Sequence, residues 1–268
     1  MRNIRSTTRK LTPAVLLTLS LLVLTPTVSF ANAKAGMNTS TRAEKRKARP
    51  ANRSLKRAEL KEAEARLSEM GYGTGRVDGV IDGVARNAVI AFQKWESRKV
   101  TGNLSRDDYD AIMSATAPQA RDLGYSHVEV DLDRQVLLLT DDDGVVKRVL
   151  PVSTGSNKQY REKGGSGLAY TPRGRFRINA KIAGWRESPL GLLYYPSYFS
   201  GGVAIHGNPA VPHEPESHGC IRIPMLAAVE VYRQLPIGTI VLIYDSLSFV
   251  SAKPWAEADK QNQEANVR

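Results

Sequence analysis

"HVEVDLDRQVLLLTDDDGVVKRVLPVSTG", residues 127–155, decides the fold. Val128, Val130 and Leu132 alternate with polar residues, Asp143-Gly144 marks a turn, and apolar residues resume at Val145, Val146, Val149 and Val152. Alternation on both sides of an Asp-Gly pair predicts a β-hairpin, because successive strand side chains point to opposite faces and Asp-Gly suits a tight reversal. Downstream, 174–178, 202–206 and 239–244 read as further strands between Gly- and Pro-rich connections, with one short helix at 225–235. Short strands without alternating helices predict an all-β sandwich or barrel rather than a doubly wound sheet, spanning residues 126–245. The polar tail, 246–268, lacks sustained periodicity and reads as extended or disordered.

Upstream of the hairpin the period becomes helical. Leu60, Ala63, Leu67 and Met70 recur at helical spacing and Gly71 follows as a stop; Ala88, Ala91, Phe92 and Trp95 form a second stripe. Ser105 and Asp108 have the spacing of a capping box, followed by Tyr109, Ile112 and Met113. Residues 55–116 are therefore predicted to form a small three-helix unit, whose core is marginal at this size. As a separate unit, it should be removable without harm to the β domain's chemistry.

At 268 residues, 41% hydrophobic and 24% charged, the chain is long enough for two soluble domains. Residues 1–33 read as a secretory signal: Arg2, Arg5, Arg9 and Lys10 precede an apolar run, 14–24, and Ala31-Asn32-Ala33 offers a small-residue cleavage site. The run is shorter than the roughly 20 residues that span a bilayer, and an uncleaved anchor is the alternative to a cleaved signal. Removing this segment takes the formal charge from +11 to +7. Much of the remainder sits in a basic linker, 34–54, where Arg42, Lys45, Arg46, Lys47, Arg49 and Arg53 face only Glu44. An exported basic segment meets anionic cell-wall polymers before nucleic acid, and no nucleic-acid recognition motif is present.

Residues 204–224, "AIHGNPAVPHEPESHGCIRIP", hold three of the four histidines and the only cysteine. An exported chain usually pairs its cysteines, so the unpaired Cys220 is either a buried structural thiol or a reactive one. Val203 and Ile205 share one strand face, which sends Ala204 and His206 to the other, and Gly207 is expected to turn the chain sharply. A catalytic thiol needs a neighbouring histidine or helix N-terminus, and the helix expected soon after Cys220 offers the second. Pro209, Pro212 and Pro215 stiffen the arc between His206 and Cys220. His206, His213 and His218 with Glu214, Glu216 or Cys220 also make a candidate zinc set, but their spacing fits no standard zinc motif, so no metal or other cofactor is expected.

Two resemblances add to this reading. "LSEMGYGTGRVDGVIDGVARNAVIAFQKWESRKVTGNLSRDDYDAI", 67–112, resembles the peptidoglycan-binding type 1 domain, although Arg86 and Asn87 stand where that family has a threonine opening its second helix. His206-Gly207, then Ser217-His218-Gly219-Cys220-Ile221-Arg222, with "TPRGRF" and "GTIVLIY" elsewhere, resemble the L,D-transpeptidase (YkuD) catalytic domain. Ten residues separate His206 from Ser217, fewer than in many members. The resemblance implies Cys220 as nucleophile, His206 as proton acceptor and donor, and the Gly207 carbonyl as its orienter. It implies an oxyanion hole from the Gly219 and Cys220 amides, and Ser217, His218 and Arg222 around the substrate. Arg222 has a purely structural alternative, a salt bridge tying the loop.

The reaction implied is acyl transfer between peptidoglycan stem peptides through a Cys220 thioester, forming 3→3 cross-links, at a thiol that carbapenems acylate more readily than most other β-lactams. L,D-carboxypeptidation and non-catalytic wall binding are the alternatives, and oligomeric state is left open. Trp185, Tyr194, Tyr195 and Tyr198 are candidates to line a cleft or to pack in the core.

Overall fold

The computed structural model describes residues 54–163 and 165–248. The expected signal peptide, the basic linker up to residue 53 and residues 249–268 of the tail lie outside the described residues. Three helices come first: α1 (Arg57–Glu69), α2 (Gly83–Trp95) and α3 (Arg106–Ser114). Asp82 opens α2 in place of the family's threonine, its carboxylate accepting from the Val84 and Ala85 amides at 2.8 and 2.9 Å. Such a cap satisfies two of the free amides of a first turn and contributes about 1 kcal/mol. The Ser105/Asp108 capping box opens α3, with bonds of 3.0 and 3.1 Å.

The rest is mostly β: β1 (His127–Asp131), β2 (Val136–Thr140), β3 (Val146–Pro151), β4 (Gln159–Glu162), β5 (Gly165–Leu168), β6 (Gly174–Arg177), β7 (Ala180–Lys181), β8 (Trp185–Ser188), β9 (Gly191–Ser200), β10 (Val203–Asn208), β11 (Ile221–Pro224), α4 (Met225–Gln234) and β12 (Ile240–Tyr244). One sheet has the order β3-β2-β1-β12-β6; another has β11-β10-β9-β7, with β8 also on β9; β4 and β5 form a separate hairpin. Both larger sheets are mixed, since β1 runs parallel to β12 and β10 to β11. Their inner faces meet in one core: Val128, Val130, Leu137 and Leu139 from the first, Phe199, Ile205, Ile221 and Ile223 from the second, with Ala228 and Val231 of α4. This is the sandwich-like arrangement that the alternation predicts.

Strands β2 and β3 have a second apolar face. Leu138 and Val149 join Leu67, Met70, Tyr72, Val89, Phe92 and Ile112 in a core shared with the helices. The Val149 amide donates to the Gly71 carbonyl at 2.9 Å. The run "VLLL" in β2 fails to alternate because both of its faces are buried. This corrects the expectation of a separable helical unit: deleting residues 55–115 uncovers Leu138 and Val149 and removes the other nine of the eleven buried residues in that core.

The outer face of β1 is polar yet buried. Glu129, with no exposed surface, accepts from the Arg121 and Asp122 amides at 2.8 and 2.9 Å and from the Tyr244 hydroxyl at 3.0 Å, with His127 Nε2 at 3.0 Å. These bonds fix the segment joining the helices to the sheet, and they meet the demand that a buried carboxylate be hydrogen-bonded.

Candidate active site

The parallel pair β10–β11 builds the site. Its register sets Ile205 opposite Ile221 and His206 opposite Arg222. Ile205, Ile221 and Ile223 fill the sandwich core, so alternation turns His206 and Arg222 to the opposite face, and Cys220 with them, one residue before β11. That face is the floor of a cleft of about 540 Å³, whose lining includes His206, Cys220, Arg222, His218 and Tyr160.

His206 is 4% exposed, so it lies on the expected face but at the cleft's floor rather than projecting from an open surface. Its Nδ1 is 2.9 Å from the Gly207 carbonyl. An Nδ1–H donating there leaves Nε2 as the basic atom. Burial is the main cause that pushes the His206 pKa down to about 4; the bond to Gly207 opposes the shift, and the Arg222 charge adds to it. Cys220 is a half-buried free thiol. Burial raises its pKa, with the Ala204 backbone and Arg222 pulling the other way. Sγ lies 3.9 Å from the Gly202 carbonyl, and no hydrogen bond joins it to His206. At neutral pH the pair therefore rests as thiol and imidazole, not as an ion pair.

Several expectations need correction. The helix N-terminus does not reach the thiol, because the whole of β11 lies between Cys220 and α4. A helix dipole acts only over about one turn. Gly207 makes no sharp turn either: it stays within β10, paired with Ile223 and Tyr194. A side chain is excluded there by packing, since a Cβ would stand 2.6 Å from that of Ala228 on α4. Gly207→Ala should therefore push α4 off β10 and lower stability by about 1–3 kcal/mol, read as a shift of the urea midpoint.

Gly219 is held differently. Its φ is +140° and a Cβ would lie 2.8 Å from the Tyr170 carbonyl, so the nucleophile turn closes onto that strand connection only with glycine. Its amide donates to Ser217 Oγ at 3.0 Å, so it does not point a free donor at the cleft as the oxyanion reading requires. Ser217 is buried and fully used, donating Oγ–H to the Cys220 carbonyl at 2.6 Å and its amide to Thr154 at 2.9 Å. It clamps the turn from the lining of the cleft.

His218 does line the cleft. Its Nε2 is 2.9 Å from Glu162 and its ring meets the Tyr160 edge at 4.6 Å, which fastens the β4–β5 hairpin beside the thiol. Arg222 is tied through its backbone to Ser153, while its guanidinium has no carboxylate partner among the described residues, so the structure does not show the alternative of a loop salt bridge. His213 is exposed and does not line the cleft. Among the described residues, no group of three His, Cys, Asp or Glu comes together to hold a metal. Of the four aromatic candidates only Tyr198 lines the cleft; Trp185 stacks on Tyr194 at 4.8 Å, and Tyr194 packs against the core.

Sequence reasoning missed Tyr160, Glu162 and Arg186, which come from the hairpins β4–β5 and β8–β9. The one signal was Gly-rich spacing around residues 164–167, a turn cue with no apolar alternation beside it.

The chain is similar to the crystal structure of an L,D-transpeptidase from Xylanimonas cellulosilytica, with 35% identity over 69% of this chain and 93% of that one, and a TM-score of 0.65. The chain belongs to the L,D-transpeptidase family. A family model of the L,D-transpeptidase catalytic domain matches residues 125–243, and one of a peptidoglycan binding domain matches residues 56–112. An L,D-transpeptidase structure from Stackebrandtia nassauensis is 24% identical over 69% of this chain and 90% of that one, at a TM-score of 0.42. A comparison with curated proteins returned no match. The helices are thus the peptidoglycan-binding part of an L,D-transpeptidase, and the cleft on β10–β11 belongs to its peptidoglycan-modifying part.

Proposed function

We propose that this enzyme is an exported cysteine acyltransferase that joins peptidoglycan stems by 3→3 cross-links. Cys220 Sγ attacks the carbonyl of the diamino acid at the third position of a tetrapeptide stem, while His206 Nε2 takes the thiol proton. The bond to the terminal D-Ala breaks, His206 returns the proton to the departing amine, and the stem is held as a thioester. The side-chain amine of a second stem's diamino acid then attacks, giving its proton to His206. The new amide forms, and the sulfur leaves as a thiol on recovering that proton.

The observation that carries this reading is the juxtaposition on one face of β10–β11 of His206, Cys220 and an Arg222 with no carboxylate partner among the described residues, all opening into one cleft. Stem peptides are rich in carboxylates, and a guanidinium without a protein partner grips a carboxylate with two hydrogen bonds. With Gly219's amide engaged, the Cys220 amide is the donor we assign to the oxyanion. Export is supported by the basic and apolar run of residues 2–24, and by a substrate that lies outside the membrane. Anionic wall polymers are assigned to the basic linker on its charge alone.

Incubation with disaccharide tetrapeptides and mass spectrometry of the products tests the reading. Cross-linked dimers are expected. Tripeptides alone would mean that water replaces the amine, and no product with retained sacculus binding would leave only the wall-binding role. Iodoacetamide should stop turnover while EDTA does not; the reverse outcome rules out the thiol.

A further inference from the structure

One side chain of the helical domain reaches the backbone just after β3 and just before β2. Lys94, in the last turn of α2, is 5% exposed. Its Nζ donates to the Val152 carbonyl at 2.7 Å, with the Gln135 carbonyl at 3.4 Å. Among the described residues no carboxylate touches it; Glu214 acts only at a distance, and burial lowers the Lys94 pKa to about 8. Burying an ammonium against carbonyls alone is expensive, and a methionine of similar length would serve mere docking better.

What Lys94 holds is the stretch that carries the site. The Val152 amide donates to the Gln135 carbonyl, and Gln135 Oε1 accepts from the Thr154 amide at 2.9 Å while its Nε2 donates to Thr154 Oγ1 at 2.8 Å. Ser153 exchanges both backbone hydrogen bonds with Arg222, at 3.1 and 3.0 Å. The Thr154 carbonyl accepts from the Ser217 amide at 2.9 Å, and Ser217 Oγ holds the Cys220 carbonyl. The path from the binding domain's α2 to the nucleophile is thus continuous and made of hydrogen bonds throughout.

We propose that Lys94 is a positioning residue for catalysis: from the peptidoglycan-binding domain it fixes residues 152–154 and, through them, the placement of Cys220 and Arg222. The inference rests on the acyl-transfer reading for its kinetic arm, and on geometry alone for its chemical arm. Its residue acts through others and touches no substrate.

The test uses the full chain with Lys94→Met, Lys94→Arg and Lys94→Gln. For Lys94→Met, kcat on a soluble disaccharide tetrapeptide should fall about tenfold with KM within about twofold, and alkylation of Cys220 by iodoacetamide should slow by a similar factor. Lys94→Arg, which keeps a cationic donor for the Val152 carbonyl, should recover most of the loss. Lys94→Gln stays polar but is one bond too short to hold the Val152 carbonyl as the ammonium does, so it should show the kinetic loss in part with little change in melting temperature. A folded Lys94→Met with wild-type kcat and alkylation rate overturns the proposal, leaving a docking contact only. Should Lys94→Met fail to fold, Lys94→Gln decides: wild-type kinetics overturn the proposal and a selective loss of kcat upholds it. Alkylation needs no stem peptide, so a wild-type protein that turns over no stem would sink the functional reading and still leave this comparison to be read.

Discussion

Cys220→Ala is expected to give a folded protein that releases no D-Ala from a tetrapeptide stem, a loss of about 10⁴-fold or more in turnover. Cys220 is half-buried and its sulfur makes a long 3.9 Å contact to the Gly202 carbonyl, so alanine removes the nucleophile without opening a large cavity. The turn around it is held by backbone and Ser217 contacts that do not involve Sγ. Melting temperature should therefore stay near that of the wild type while activity disappears. Cys220→Ser should recover little, since a neutral hydroxyl is a far poorer nucleophile than sulfur beside the same imidazole. Mass spectrometry adds a second readout: the wild type should carry a stem-sized thioester adduct under acceptor-free conditions, and neither variant should. Turnover by Cys220→Ala within about tenfold of the wild type would discard the thiol mechanism.

The acid limb of the acylation step should lie near pH 4 instead of near the 6.5 of a solvated histidine. Burial disfavours the imidazolium of His206, and the nearby Arg222 charge adds to that effect, so the ring stays neutral and able to accept a proton well below neutral pH. The thiol is pushed the other way, above its ordinary range. Between these two limits the free enzyme has a single dominant protonation state, so kcat/KM for D-Ala release should be flat from about pH 5 to 8. The release step is the one to follow, because the acceptor amine adds its own titration to the full transfer reaction.

The same shift carries a stability consequence whose sign is fixed. An unfolded chain protonates His206 below about 6.5, whereas the folded one does so only near 4, so the unfolded state binds more protons in that window and stability falls as pH drops through it. The full effect is about 3 kcal/mol, reached by the low end of the window. Urea titrations at pH 7 and pH 4.5 measure it, and His206→Gln, expected to lower kcat/KM by about 10³-fold, should flatten the dependence. A wild-type acid limb at pH 6.5 would show that the imidazole is exposed to solvent and that the cleft floor is not as described.

Much of this was legible beforehand because it depends on local pattern. The Asp143-Gly144 turn and the apolar residues after it located β3 and the reversal before it, and the Ser105/Asp108 spacing located α3; the alternation of Val128, Val130 and Leu132 belongs to β1, and the turn at 132–135 that separates β1 from β2 was not read. His206 and Cys220 could be brought together on one face because strand periodicity and a short stiff loop leave few other arrangements. The remainder is tertiary. Nothing in "AFQKWES" distinguishes Lys94 from a solvated helix lysine, since its burial is created by β2 and β3 some forty residues later. Gly207 reads as a turn residue until α4 is seen lying 2.6 Å from where its Cβ would be. The β4–β5 hairpin has no apolar face for periodicity to detect, because it packs through Tyr160 and His218 at the rim instead of through a core. One tertiary feature did leave a trace: the unbroken apolar run of β2 reports a strand with two cores, and hence a sheet that the helices must cover.

That second core changes how the enzyme can search the wall. A binding domain on a flexible tether raises the local concentration of substrate throughout the volume its tether sweeps, at the same level in every direction. Helices seated on β2 and β3 give up that volume. Under the proposed acyl transfer, a strand grasped by them would present to Cys220 only those stems that fall at one distance and one bearing, and stems elsewhere on the same strand would be out of reach until the enzyme lets go. The spacing of cross-links would then be set by the pitch of the glycan against a fixed gauge, with the length of the enzyme's own fold as the unit.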